Sequence, residues 1–187
     1  TSFRAPLYPA FLAIVYFFNG IDFSRFFAAR LAQAIFLGAP LAPLTYLVAL
    51  HLFPLSSFLV EERGKKKEKM ARLSAWLVAA YHLLLVYPLG LGTENPFFVL
   101  LLASFLFLLS SLNKPTTFHF LLSGIFLALT ALTRSVILAF ALAAFFLLFY
   151  LHGKRAMLSI LAFVLVVAPW TIRNSLLHGE LTGIETS

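Results

Sequence analysis

The sequence predicts an all-α fold, a polytopic bundle of transmembrane helices with about six spans. Three observations carry that prediction. The 187-residue chain is 61% hydrophobic and 11% charged, with mean hydropathy +0.96; soluble domains are about 45–50% apolar and about 25% charged. Its apolar runs reach spanning length and consist of Leu, Ala, Phe and Val without the alternation of a barrel strand. Its charges gather in short stretches, and from 118 to 151 Arg134 is the only Asp, Glu, Lys or Arg.

Taken from the N-terminus, 6–18 is apolar but only 13 residues long, with Pro6 and Pro9 at its start and Asn19-Gly20 at its end. That length suits a helix lying in the membrane interface rather than a span. Next, 21–30 carries Asp22, Arg25 and Arg30 among phenylalanines, and 31–53 is long enough to cross, kinked by Pro40 and Pro43. The run 61–72, Glu-Glu-Arg-Gly-Lys-Lys-Lys-Glu-Lys-Met-Ala-Arg, belongs in water and is expected to be a loop. Spans follow near 73–91 and 97–112. Between them lies Gly92-Thr93-Glu94-Asn95-Pro96, where Asn95 is the expected N-cap and Pro96 the first helical residue.

A single helix over 118–151 would be about 51 Å long against a hydrocarbon core of roughly 30 Å. A charge at its centre would cost about 2.5–3.5 kcal/mol. Two helices, 118–133 and 135–151, that turn near Arg134 remove both problems. A last span is expected near 156–170. Residues 1–187 thus form one partial transmembrane domain, expected to be a fragment of a longer protein.

Loop charges orient this bundle. With the cation-rich 61–72 on the cytoplasmic side, alternation puts Arg63, Lys65, Lys66, Lys67, Lys69, Arg72, Lys114, Lys154 and Arg155 inside. Arg4, Arg25, Arg30, Arg134 and Arg173 fall outside, so every lysine is cytoplasmic. The expected place is the cell membrane, as a multi-pass protein with its active face extracytoplasmic.

Composition also excludes. The formal charge of +7 is concentrated as membrane topology demands, which rejects a nucleic-acid partner, and the absence of cysteine rules out disulfides and Cys-ligated metals. No nucleotide-binding glycine pattern, zinc spacing or nucleophile elbow is present, so no organic cofactor is expected.

The outer face collects arginines with the acid Glu94, and arginine's planar fork suits bidentate binding of phosphate. An anionic lipid headgroup is the natural ligand there, with membrane lipids around it. Simpler duties compete: Arg134 snorkelling from a helix end, Arg173 anchoring beside Trp170, Glu94 satisfying a helix dipole. His82, near the middle of its span, reads as a packing histidine, and His178 as a weak candidate ligand.

In order, the chain carries Arg4-Ala5-Pro6-Leu7-Tyr8-Pro9, Asn19-Gly20, Ala28-Ala29-Arg30-Leu31 and Gly92-Thr93-Glu94-Asn95-Pro96-Phe97. There follow Gly124-Ile125-Phe126-Leu127-Ala128-Leu129-Thr130-Ala131-Leu132-Thr133-Arg134 and Pro169-Trp170-Thr171-Ile172-Arg173-Asn174. In these motifs and their order it resembles the GT-C glycosyltransferases, in the branch of dolichyl-phosphate-mannose protein mannosyltransferase-like and aminoarabinose transferase-like enzymes.

The resemblance implies transfer of a sugar from a polyprenyl-phosphate-linked donor to an acceptor on the outer membrane face, and in many members a divalent metal cation. It implies that Glu94 faces the active cavity as a candidate catalytic carboxylate. Arg4, Arg134 and Arg173 then lie near the phosphate of the lipid carrier. Two departures stand out. Ser135 occupies a place where proline commonly follows the arginine. The family's catalytic aspartate belongs to a loop preceding the matched region, so it is expected upstream of this fragment; Asp22 is not its counterpart. The isolated fragment is accordingly expected to be inactive. A membrane transporter or a non-catalytic bundle is the alternative; transporters gather ionisable groups near the midplane, where this chain has only His82.

Overall fold

A computed structural model describes residues 5–20, 22–52, 60–81, 84, 86, 90–180 and 183–184. The described residues are helical throughout, joined by short turns. Three segments are long and apolar enough to cross a membrane: Ser24–Leu52, Glu94–Asn113 and Ser135–His178.

Helix α1, Leu7–Asn19, has 13 residues, and Pro9 sits in its first turn, where backbone N–H groups have no helical partner to lose. Gly20 stops it at φ +74°, its N–H donating to the Tyr16 carbonyl at 3.0 Å. Helix α2, Ser24–Gln33, starts well before the expected span at 31 and passes into a π-helical turn, Ala34–Gly38. There the Ala39 N–H reaches back to the Ala34 carbonyl at 2.9 Å. The wider turn accommodates Pro40, whose ring would otherwise crowd the carbonyl four residues earlier. Pro43 lies in the first turn of α3, Leu41–Leu52, and breaks nothing.

Helix α4, Val60–Ala80, corrects the expected loop over 61–72. Lys, Glu, Arg, Met and Ala are strong helix formers, and Glu68 pairs with Arg72 one turn on at 2.6 Å. The stretch is therefore a cationic helix that leads into the apolar turn beginning at Leu73. The expected span to 91, with His82, falls partly outside the described residues.

Helix α5, Glu94–Asn113, is 20 residues, about 30 Å long. Its N-cap position is Thr93 rather than Asn95, because the Asn95 amide turns instead to the Gly90 and Gly92 carbonyls. Helix α6, Thr117–Ala131, opens on Thr116, whose hydroxyl accepts from the His119 N–H at 3.3 Å. It ends where the sequence requires: Arg134 is extended (φ −150°, ψ 122°) and a 3₁₀ turn, Ser135–Ile137, leads into α7, Leu138–His152.

Gly153, at φ +57°, ends α7, and a 3₁₀ turn, Gly153–Ala156, leads to α8, Met157–His178. Phe145 and Phe163 meet edge to face at 5.3 Å, so the chain folds back here. Helices α6 and α8 consequently run in the same direction and approach closely. Ser159 donates to the Phe120 carbonyl at 2.6 Å and bonds Ser123 at 2.7 Å, and a Cβ on Gly124 would lie 2.1 Å from the Ser159 carbonyl oxygen. Small residues at a crossing are how membrane helices gain van der Waals contact. Two apolar clusters fill the bundle, one around Phe120, Leu127 and Leu148, the other around Ala131, Leu132 and Val167. Large apolar side chains such as Phe17, Phe146 and Leu165 point outward.

Candidate functional site

The turn after α6 and the start of α5 lie at the same end of the bundle, because the two helices pack antiparallel, with Phe107 stacked on Phe126 at 5.0 Å. Arg134 and Glu94 meet there: Nη1 donates to Oε1 at 3.1 Å. The pair is about half exposed (46% and 35%), open to a ligand rather than sealed in the core. The guanidinium carbon also lies 5.9 Å from the Phe97 ring centroid, a cation–π contact from one side. Gly92 makes room for this arrangement, since a Cβ there would stand 2.5 Å from Glu94 Oε2.

Glu94, Arg134 and Thr133 form one wall of a cavity of about 680 Å³, and α1 forms the facing wall through Tyr8, Leu12 and Tyr16. Two contacts hold α1 in place. The Leu7 N–H donates to the Leu132 carbonyl at 3.1 Å, in the turn that carries Arg134. The Tyr8 hydroxyl donates to Gln33 Oε1 at 2.8 Å. Asn95 donates to the same oxygen at 3.3 Å, and Gln33 Nε2 to the Gly90 carbonyl at 3.2 Å. A buried amide thus ties α1, α2 and the start of α5 together. The Tyr8 hydroxyl is pushed up to about 12, by burial first and then by Tyr16 and the Glu94 charge. It stays protonated, a donor toward the Gln33 oxygen.

The residues singled out by sequence divide three ways. Glu94 and Arg134 are brought together. Arg173 is exposed, stacks over Trp170 at 5.0 Å and does not line this cavity, while Trp170 Nε1 donates to the Ile184 carbonyl at 3.0 Å. Arg4 lies outside the described residues.

Sequence reasoning missed Tyr8 and Gln33. Arg25, grouped with the outer arginines, stacks on Tyr16 at 5.4 Å and Phe26 at 4.9 Å and does not line the cavity. The available signal for Gln33 was its place as the first amide in the apolar run 31–53. Among the described residues no three His, Asp or Glu side chains gather to hold a metal. Glu94 is the one carboxylate among the described residues of the cavity wall, and it is engaged by Arg134.

The chain matches no protein-family model, no curated protein and no solved structure.

Proposed function

We propose that this protein is the membrane-embedded part of a GT-C-type glycosyltransferase, which transfers a sugar from a polyprenyl-phosphate-linked donor to an acceptor. The Glu94–Arg134 pair on the wall of the 680 Å³ cavity is the observation that carries the reading. A phosphate needs a cation with free donors at the edge of the apolar region, and among the described residues Arg134 spends one of its five N–H donors, on Glu94. The apolar α1 wall suits the start of a prenyl chain. On this reading the bundle has about six spans in the cell membrane, α1 lies in the interface, and the Glu94–Arg134 end faces away from the cytoplasm.

In the transfer the acceptor oxygen bonds to the anomeric carbon as the bond from that carbon to the carrier phosphate oxygen breaks. The electron pair leaves with the phosphate, where the Arg134 guanidinium stabilises it. The acceptor proton passes to a carboxylate base. Glu94 is already bonded to Arg134 and serves to aim the guanidinium, so it is a positioning residue. The test is sugar transfer from a polyprenyl-phosphate donor by membranes carrying the complete protein. Arg134→Ala and Glu94→Ala are each expected to lower transfer by about 10²–10³-fold while leaving membrane insertion intact. Wild-type activity in both variants would overturn the reading.

A further inference from the structure

Helix α5 carries a second cavity at its other end, about 30 Å from Glu94. Its volume is about 540 Å³, and four helical elements or their caps contribute to it: His51 from α3, Lys67 from α4, Ser110, Asn113 and Lys114 from the end of α5, and His119 from α6. Two lysines and two imidazoles line it, and among the described residues no carboxylate does. Neither lysine has an ion-pair partner among the described residues; Glu68, beside Lys67, is turned to Arg72 at 2.6 Å. Two like charges on one wall repel each other until an anion lies between them.

The remaining groups are held in place for such an anion. His51 Nδ1 bonds the Leu47 carbonyl at 2.8 Å, and His119 Nδ1 bonds the Lys114 carbonyl at 2.8 Å. A ring whose Nδ1–H donates to a carbonyl is fixed in orientation and keeps Nε2 as an acceptor for a hydroxyl on the ligand's organic body. The Asn113 amide donates to the His51 carbonyl at 3.3 Å, pinning α3 to the end of α5. The N-terminus of the 15-residue α6, capped by Thr116, adds the positive end of a helix dipole.

We propose that this cavity binds a phosphate monoester. Two lysines balance a dianion, which a monoester approaches at neutral pH and a phosphodiester does not. The volume is too large for inorganic phosphate alone and matches a phosphate with a small organic body. The lysines set against the Arg134 end place it at the cytoplasmic face, where either a lipid headgroup or a soluble metabolite can supply the monoester. The proposal is independent of glycosyl transfer at the other end.

The test uses the full chain in lipid nanodiscs containing equal amounts of phosphatidic acid and phosphatidylglycerol, with retained lipid read by native mass spectrometry. A second arm titrates glycerol 3-phosphate into protein in phosphatidylcholine nanodiscs. Preference for phosphatidic acid over phosphatidylglycerol, or saturable binding of glycerol 3-phosphate, is expected in the wild type; the first result assigns a membrane source and the second a soluble one. In Lys67→Ala/Lys114→Ala that binding is expected to fall about 30-fold, from roughly a factor of five per lysine. Lys67→Gln/Lys114→Gln, which keeps a polar side chain of nearly the same length without the charge, is expected to fall equally. Lys154→Ala/Arg155→Ala removes two charges outside the cavity wall and is expected to bind as the wild type does. Absence of both binding modes in the wild type, unchanged binding in the Lys67/Lys114 variants, or an equal loss in the Lys154/Arg155 variant would each overturn the proposal.

Discussion

The Arg134 guanidinium and the Glu94 carboxylate lie 3.1 Å apart although forty residues of chain separate them. Each is held from its own side, Glu94 over Gly92 in the first turn of α5 and Arg134 on an extended residue against Phe97. A pair held this way acts as a unit, and removing both members should cost little more than removing one. Arg134→Ala is expected to lower kcat for sugar transfer by about 10²–10³-fold. The Glu94→Ala/Arg134→Ala double variant should lie within a factor of about three of Arg134→Ala alone. Arg134→Lys keeps the charge without the fork and is expected to recover only part of the rate.

The close crossing of α6 and α8 leaves no room for a side chain at Gly124. A Cβ would meet the Ser159 carbonyl, which is backbone and cannot swing aside. Gly124→Ala is expected to destabilise the bundle by about 1–3 kcal/mol, seen as a lower melting temperature of the purified protein in detergent. A neutral effect would show that the two helices can part at no cost.

Tyr8→Phe removes the hydroxyl that donates to Gln33. The expected cost is about 0.5–1.5 kcal/mol, localised as faster hydrogen exchange in α1. The hydroxyl also sets a pH dependence. Its folded-state value of about 12 lies above the ordinary 10.0, so the folded form holds its proton more tightly than the unfolded one. That contribution is fully present below pH 10 and is lost as pH rises toward 12. The wild type should lose more stability across that window than Tyr8→Phe.

Asn174 is fully buried on α8, and neither atom of its amide has a hydrogen-bond partner among the described residues. An unpaired buried amide costs about 1–3 kcal/mol. Asn174→Leu, of similar volume and apolar, is expected to raise the melting temperature of the bundle. A fall would mean that the amide is bonded in the assembled protein.

What the sequence made legible depended on how unusual each residue was in its surroundings. Arg134 is the only charge between 118 and 151, so the turn there followed from length and charge, and the helices end beside it. The grouping of Lys67 with Lys114, obtained from alternation of loops, agrees with their meeting in one cavity wall. The run 61–72 was misread because high charge marks solvation, and solvation does not oppose a helix built from Lys, Glu and Arg. Asn95 was misread for a different reason. An Asn before a Pro reads as a cap, but here the amide is used across 62 residues on Gln33, which local sequence cannot reveal. Arg173 stacks over its own helix neighbour Trp170, the anchoring arrangement that the Trp-then-Arg order suggested.

The bond from the Leu7 N–H to the Leu132 carbonyl ties the wall of the cavity to its charge. Leu132 is two residues from Arg134, and α1 hangs on that same short turn. The width of the cavity and the position of its cation are therefore mechanically linked. A shift of α1 away from α6 would pull on the peptide that precedes the guanidinium, so the wall could not move without disturbing the aim of Arg134.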